Sequence, residues 1–266
     1  MTILEIIILA IVQGLTEFLP VSSSGHLIVA NALFDALGGQ PVKDLVEVEI
    51  VLHLGTLGAV LVYYRHEIAR LFTSDRRVIP LLIVGTIPAA VLGILLKKGM
   101  PAETSNLVLQ NVWVAGICFP ITAAMLIWAT RHPEGQSHYT QLGWRNSLSI
   151  GLWQALALLP GISRSGATIA AGLGIGLERT SAATFAFLLA IPAIAGGGML
   201  EMLEAMEAGT TGTPLATLAV GFGISFVVGW GALALLIRWV RRGRLAIFAY
   251  YLVPLGVAVL AWQFAT

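Results

Sequence analysis

Charge is what this chain has least of. Only 11% of its 266 residues are Asp, Glu, Lys or Arg, against about a quarter in an ordinary soluble domain. The deficit excludes a conventional water-exposed surface, and a net charge of +1 gives no reason to expect a nucleic-acid or acidic protein partner. One cysteine, Cys118, rules out an internal disulfide and reads as a small packing residue. No Lys or Arg precedes Lys43, so residues 1–20 lack the basic start of a signal peptide. Neither a P-loop nor a dinucleotide fingerprint occurs, which leaves ATP coupling unsupported. "HEIAR" at 66–70 lacks the second His of a metalloprotease helix.

What fills the chain instead is hydrocarbon. Apolar residues make up 57% of it and the mean hydropathy is +0.87. A span needs roughly 20 mainly apolar residues, and six stretches qualify: about 47–65, 79–97, 107–130, 181–200, 214–238 and 246–265. Two further stretches, 2–34 and 146–176, are each interrupted by a Pro/Ser/Gly cluster. Backbone broken at membrane depth is tolerated only where protein or a wet cavity surrounds it, so both read as re-entrant helical hairpins.

The two interrupted stretches match each other. A shift of 141 residues pairs Gln13 with Gln154, Leu15 with Leu156, Ser22 with Ser163, Ser24 with Ser165, Gly25 with Gly166 and Ile28 with Ile169. Three spans separate them, so the second copy must insert from the opposite face. The expected fold is an all-α polytopic membrane protein, six transmembrane helices plus two re-entrant hairpins related as an inverted-topology repeat. It forms a single integral membrane domain, with repeat 1 at about 1–130 and repeat 2 at about 142–266. Such repeats place a site at their interface near mid-membrane.

Loop charges orient this arrangement. The loops at 66–78, 131–145, 177–180 and 239–245 and their flanks collect eleven arginines, against Lys43, Lys97 and Lys98 on the other side. By the positive-inside rule the arginine side is cytoplasmic. The acidic run Glu201, Glu204, Glu207 falls in an outer-side loop on this reading and is a solvated face.

One arginine remains, Arg164, inside the second interrupted stretch. A charge at that depth marks a functional site by default. In the first stretch Gln13 and Glu17 are four apart and share a helix face. Ser22, Ser23, Ser24 and Gly25 then open a new helix, with His26 in its first turn. Ser163, Arg164, Ser165 and Gly166 open another, with Thr168 one turn on. Helix N-termini bind anions through unpaired N–H groups, and Arg grips phosphate bidentately. Together these groups suit a phosphate better than other common ligands, with Glu17 and Gln13 able to hold a hard divalent cation that bridges its oxygens. By contrast, His53, alone on an apolar span, reads as a satisfied structural group, and Thr56 beside it as packing. Pro88, Pro120, Pro192 and Pro254 read as kinks, and Tyr250 and Tyr251 as interfacial anchors.

"QGLTEFLPVSSSGH" and "LLPGISRSGATI" resemble the two motifs of the bacterial undecaprenyl-pyrophosphate phosphatases of the BacA type. The resemblance extends over essentially the whole chain in length, span pattern and motif spacing. It implies an enzyme of the plasma membrane, opening to the outer face, that removes the terminal phosphate of an isoprenoid lipid pyrophosphate. The product is the monophosphate carrier that cell-wall synthesis reuses. Matched position by position, it implies catalytic Glu17, Ser23, His26 and Arg164; substrate-binding Ser22, Ser163, Ser165, Gly166 and Thr168; and a divalent cation, Mg2+ or Ca2+, at Glu17 and Gln13. Many members carry Glu where this chain has Gln13, and an amide is a weaker metal ligand. The nucleophile is Ser23 (with His26 as base), His26 itself, or water. The alternative reading is a transporter or flippase of an anionic lipid phosphate, because broken helices meeting at mid-membrane also serve transport.

Overall fold

The computed structural model describes residues 3–36, 45–99, 101–208 and 213–265. Lys43, placed above on the outer side, lies outside the described residues. Every regular element described is helical, as backbone in hydrocarbon requires when no barrel closes. The helices are α1 (Ile3–Phe18), α2 (Ser23–Ala36), α3 (Leu45–Tyr63), α4 (Arg65–Leu71), α5 (Val78–Lys98), α6 (Ala102–Leu109) and α7 (Val112–Arg131). The second half holds α8 (Trp144–Leu156), α9 (Arg164–Gly174), α10 (Arg179–Ala208), α11 (Leu215–Arg241) and α12 (Ala249–Ala265).

Five segments are long and apolar enough to cross a membrane: Val78–Leu96, Val112–Arg131, Arg179–Leu200, Leu215–Arg241 and Leu245–Ala265. A sixth candidate is the pair Val48–Tyr63 and Arg65–Leu71, bent by 75° at Tyr64. All six candidates overlap the stretches expected from hydropathy. Large apolar side chains such as Leu215, Val257 and Phe264 stand exposed, a surface suited to lipid, and the chain is a multi-pass membrane protein.

Three boundaries differ from expectation. The 66–78 loop begins as helix α4, because Arg65 to Leu71 carries a helical mix of apolar and charged residues that can lie along an interface. The span expected from 107 starts instead at Val112, where the Asn111 side chain caps the helix by accepting from the Trp113 N–H at 2.8 Å. The segment holding Glu201, Glu204 and Glu207 is the last part of α10, not a loop. Its Glu, Met, Leu and Ala residues are strong helix formers. The four mid-span prolines lie inside helices α5, α7, α10 and α12.

Packing brings the two interrupted stretches together. α1 packs closely on α11, and its counterpart α8 on α5. Gly14 of α1 lies against Ser225 and Gly229, and Gly151 of α8 against Gly85. Such small-residue seams let membrane helices approach. α7 crosses both breaks and packs along α12. On the arginine-rich side Asp75 staples two loops, accepting from Arg70 Nε at 3.0 Å, Ser74 Oγ at 3.0 Å and the Tyr139 hydroxyl at 3.1 Å.

Candidate active site

Both breaks fall where the proline clusters placed them. α1 ends at Phe18 and α2 starts at Ser23; α8 ends at Leu156 and α9 starts at Arg164. Ser163 has extended backbone and caps α9, its Oγ accepting from the Gly166 N–H at 3.1 Å. Its counterpart Ser22 caps α2 more weakly, accepting from the Gly25 N–H at 3.4 Å. The hydroxyl pairs repeat as well, Ser22 with Ser24 at 3.3 Å and Ser163 with Ser165 at 3.1 Å.

Ser22 departs from its counterpart in one respect. Its φ is +74°, the one left-handed non-glycine residue among those described. Such a conformation persists only where its surroundings enforce it. Here the enforcing contact is the second break: Ser22 Oγ accepts from the Gly161 N–H at 3.0 Å. Gly161 itself has φ +92°. Thr122 of α7 clamps it from behind, donating to Gly161 O at 2.8 Å while accepting from the Ser163 N–H at 3.0 Å. A Cβ on Gly25 would lie 2.8 Å from the Gly161 nitrogen, so the breaks meet backbone to backbone.

That meeting builds a charged cluster around Glu17, which is buried. Arg164 Nη2 donates to Glu17 Oε1 at 2.5 Å. The other oxygen, Oε2, accepts from Ser23 Oγ at 2.7 Å and from Gln13 Nε2 at 3.0 Å. Gln13 and Glu17 therefore share one helix face as their spacing requires. Arg164 Nη1 also donates to Ala190 O at 3.3 Å, which leaves other guanidinium N–H groups for a ligand. The first-turn N–H groups of Ser23, Ser24, Arg164 and Ser165 have no intrahelical acceptor by the geometry of a helix start.

Not every expected residue faces this cluster. Thr168 turns its hydroxyl back to Arg164 O at 2.8 Å, and Ser165 reaches Leu19 O at 3.4 Å. Ser22, Ser163 and Gly166 are occupied in building the helix starts. His26 shares the helix face of Ser23, three residues on, but both its nitrogens are engaged. Nδ1 lies 2.7 Å from Ser22 O and Nε2 lies 2.8 Å from the Tyr251 hydroxyl.

Three residues join the site that sequence reasoning set aside or passed over. His53 Nδ1 contacts Glu49 O at 2.8 Å, the satisfied bond expected of a structural histidine, yet its Nε2 is 3.7 Å from Glu17 Oε2. Tyr251 touches His26 instead of serving only as an anchor. Thr122 carried no signal beyond a hydroxyl in an apolar span.

The two motifs that build the cluster are those of a family. The model of the bacitracin resistance protein BacA matches residues 6–258. The chain belongs to the BacA family. Relatives agree over nearly their full length. The undecaprenyl-diphosphatase of Rhodopirellula baltica is 43% identical over 258 residues, covering 97% of this chain and 96% of its own. The protein of that name from Mycobacterium sp. (strain KMS) is 41% identical, covering 98% and 96%. That from Corynebacterium striatum is 38% identical, covering 98% and 94%.

Proposed function

We propose that this protein is an undecaprenyl-diphosphatase that works by covalent phosphoryl transfer through Ser23. It releases inorganic phosphate from undecaprenyl pyrophosphate and returns the monophosphate carrier to cell-wall synthesis. Family membership and the named relatives support the reaction. No observation favours the transport alternative.

The observation that carries the mechanism is the Glu17 carboxylate shared between Arg164 and Ser23. A serine hydroxyl is a weak nucleophile until a base takes its proton, and Glu17 Oε2 is within hydrogen-bond reach of that proton. Ser23 Oγ attacks the terminal phosphorus, its proton passes to Glu17, and the bond from phosphorus to the bridging oxygen breaks. Undecaprenyl phosphate leaves, and the proton on Glu17 goes to it or to solvent. Water then attacks the phosphoserine with Glu17 again as base, restoring the Ser23 hydroxyl and releasing phosphate. Arg164 and the first-turn N–H groups of α2 and α9 stabilise the charge on the transferring oxygens, the main catalytic task in such reactions. Ser22, Ser163, Ser165, Gly166 and Thr168 shape the two helix starts on which the phosphates bind. The geometry supports Ser23 over His26 as nucleophile, because both imidazole nitrogens are engaged elsewhere.

A divalent cation, Mg2+ or Ca2+, is part of the proposal. Gln13 Oε1 is buried without a hydrogen-bond partner, one turn from Glu17. No group of three His, Cys, Asp or Glu side chains able to hold a metal occurs among the described residues. An orphaned oxygen beside one carboxylate fits a hard cation that takes most of its ligands from substrate phosphate and water. Glu17 and Gln13 would hold it, and it would supply charge neutralisation at the phosphate oxygens.

The architecture proposed for this chemistry is two re-entrant hairpins, α1–α2 and α8–α9, in inverted repeats. The matched hydrogen bonds of Ser22 and Ser163 and the exchanged packing of α1 on α11 and α8 on α5 support it. The distribution of arginines supports a site opening to the outer face.

The test is phosphate release from undecaprenyl pyrophosphate by purified protein in detergent, with and without chelator, followed by acid quenching of terminally labelled substrate. Label on Ser23 is expected. Ser23→Ala and Glu17→Gln should each lose at least about 10³-fold in kcat, and Ser23→Ala should keep wild-type helicity. Near-normal turnover by folded Ser23→Ala would refute the covalent mechanism, and no release by the wild type would refute the activity.

A further inference from the structure

The Tyr251 hydroxyl lies 2.8 Å from His26 Nε2, across 225 positions of sequence. The two rings are stacked with centroids 5.7 Å apart and planes 15° apart, while Phe119 meets the imidazole edge-on at 5.1 Å. These contacts determine the protonation pattern of a neutral ring. Ser22 O is a carbonyl and only accepts, so at 2.7 Å Nδ1 must carry the proton. Nε2 then presents a lone pair, and the Tyr251 hydroxyl donates to it. The opposite tautomer would set the Nδ1 lone pair against the Ser22 carbonyl and leave Nε2–H to the phenol oxygen.

Ser22 is the left-handed residue of the first break, φ +74°, and its hydroxyl holds Gly161 of the second. Ser23, the residue after it, must point at Glu17. We propose that Tyr251 is a positioning residue for the reaction. Its hydroxyl donates to Nε2 and so holds the His26 ring, whose Nδ1–H braces the Ser22 carbonyl and so aims Ser23. The consequence for catalysis rests on the phosphoryl-transfer reading of the site; the tautomer assignment does not.

Tyr251→Phe removes the hydroxyl and keeps the stacked ring. Histidine-selective 15N NMR on purified wild-type protein should show His26 as the Nδ1–H tautomer, assigned by its loss in His26→Asn. In Tyr251→Phe the Nδ1–H form should persist, because the Ser22 carbonyl still accepts, while the Nε2 resonance should shift to that of a ring nitrogen without a hydrogen-bond donor. With undecaprenyl pyrophosphate, Tyr251→Phe should lower kcat by about 3- to 10-fold, the worth of one hydrogen bond, with KM changed by less than about twofold. In the His26→Asn background, where the amide N–H replaces Nδ1–H but offers the phenol no ring nitrogen, Tyr251→Phe should cause no further loss. An unchanged 15N spectrum in Tyr251→Phe overturns the proposal, and so does a full additional kcat loss on His26→Asn. If the wild type released no phosphate, the phosphatase reading would fail while the spectrum still decided the tautomer.

Discussion

Glu17 is one carboxylate with three donors: Arg164 on one oxygen, Ser23 and Gln13 on the other. A buried charge so satisfied is stable, and breaking such a set by removing one partner is strongly destabilising. Arg164 therefore neutralises Glu17 and, in the proposed mechanism, offers its remaining N–H groups to phosphate. Lysine keeps the charge but not the planar fork that makes two directed contacts at once. Arg164→Lys is expected to stay folded and to lose about 10²-fold in kcat/KM, read from phosphate release beside a thermal melt. Wild-type turnover by that variant would mean that bulk charge suffices and that the fork has no role.

The two interrupted stretches work as one element only because their backbones touch. Gly161 is the clearest test. Its φ of +92° is left-handed, and a Cβ there would lie 2.5 Å from Ala115 O and 2.7 Å from Cys118 Cβ. Gly161→Ala must either strain the turn or push α7 away, at about 1–3 kcal/mol. Because Ser22 Oγ bonds the Gly161 N–H, activity should fall more steeply than helicity in this variant. The loop staple on the arginine-rich side behaves differently. Burial alone would raise the Asp75 carboxyl, but hydrogen bonds from Ser74, Tyr139 and Arg70, with the Arg70 charge, outweigh it and hold the group below the ordinary range. A depressed folded value contributes stability above the unfolded pKa that is lost as pH falls through the folded one. Thermal melts of the wild type should therefore drop below about pH 4, and Asp75→Asn should show a lower melting temperature at pH 7 with a flatter acid limb.

Across the whole molecule, the proposed re-entrant arrangement requires α1–α2 to start and finish on the same face. The single cysteine makes this easy to examine. In a Cys118→Ala background, Asp35→Cys should react in intact cells with a membrane-impermeant maleimide, and Arg76→Cys should react only after lysis. Labelling of Arg76→Cys from outside would reverse the orientation, and failure of both to label before lysis would remove Asp35 from the outer face.

Much of this protein follows from its residues alone. Six candidate spans, two interrupted stretches and the grouping of Glu17, Ser23 and Arg164 were legible because hydrocarbon penalises every unsatisfied polar group. A carboxylate, a guanidinium and a broken backbone at membrane depth each demand a partner. Helix periodicity likewise made Gln13 and Glu17 neighbours. Periodicity ends where the helix does, however. The path of residues 19–22, with its left-handed Ser22, is determined by contact with Gly161, and that path decides that Ser23 bonds Glu17 while His26 turns to Tyr251. The same limit hid His53, whose distance from Glu17 is a matter of packing between α1 and α3. What sequence alone determined was the inventory of polar groups that the membrane would not tolerate unpaired; which group meets which was decided only when the two breaks closed against each other.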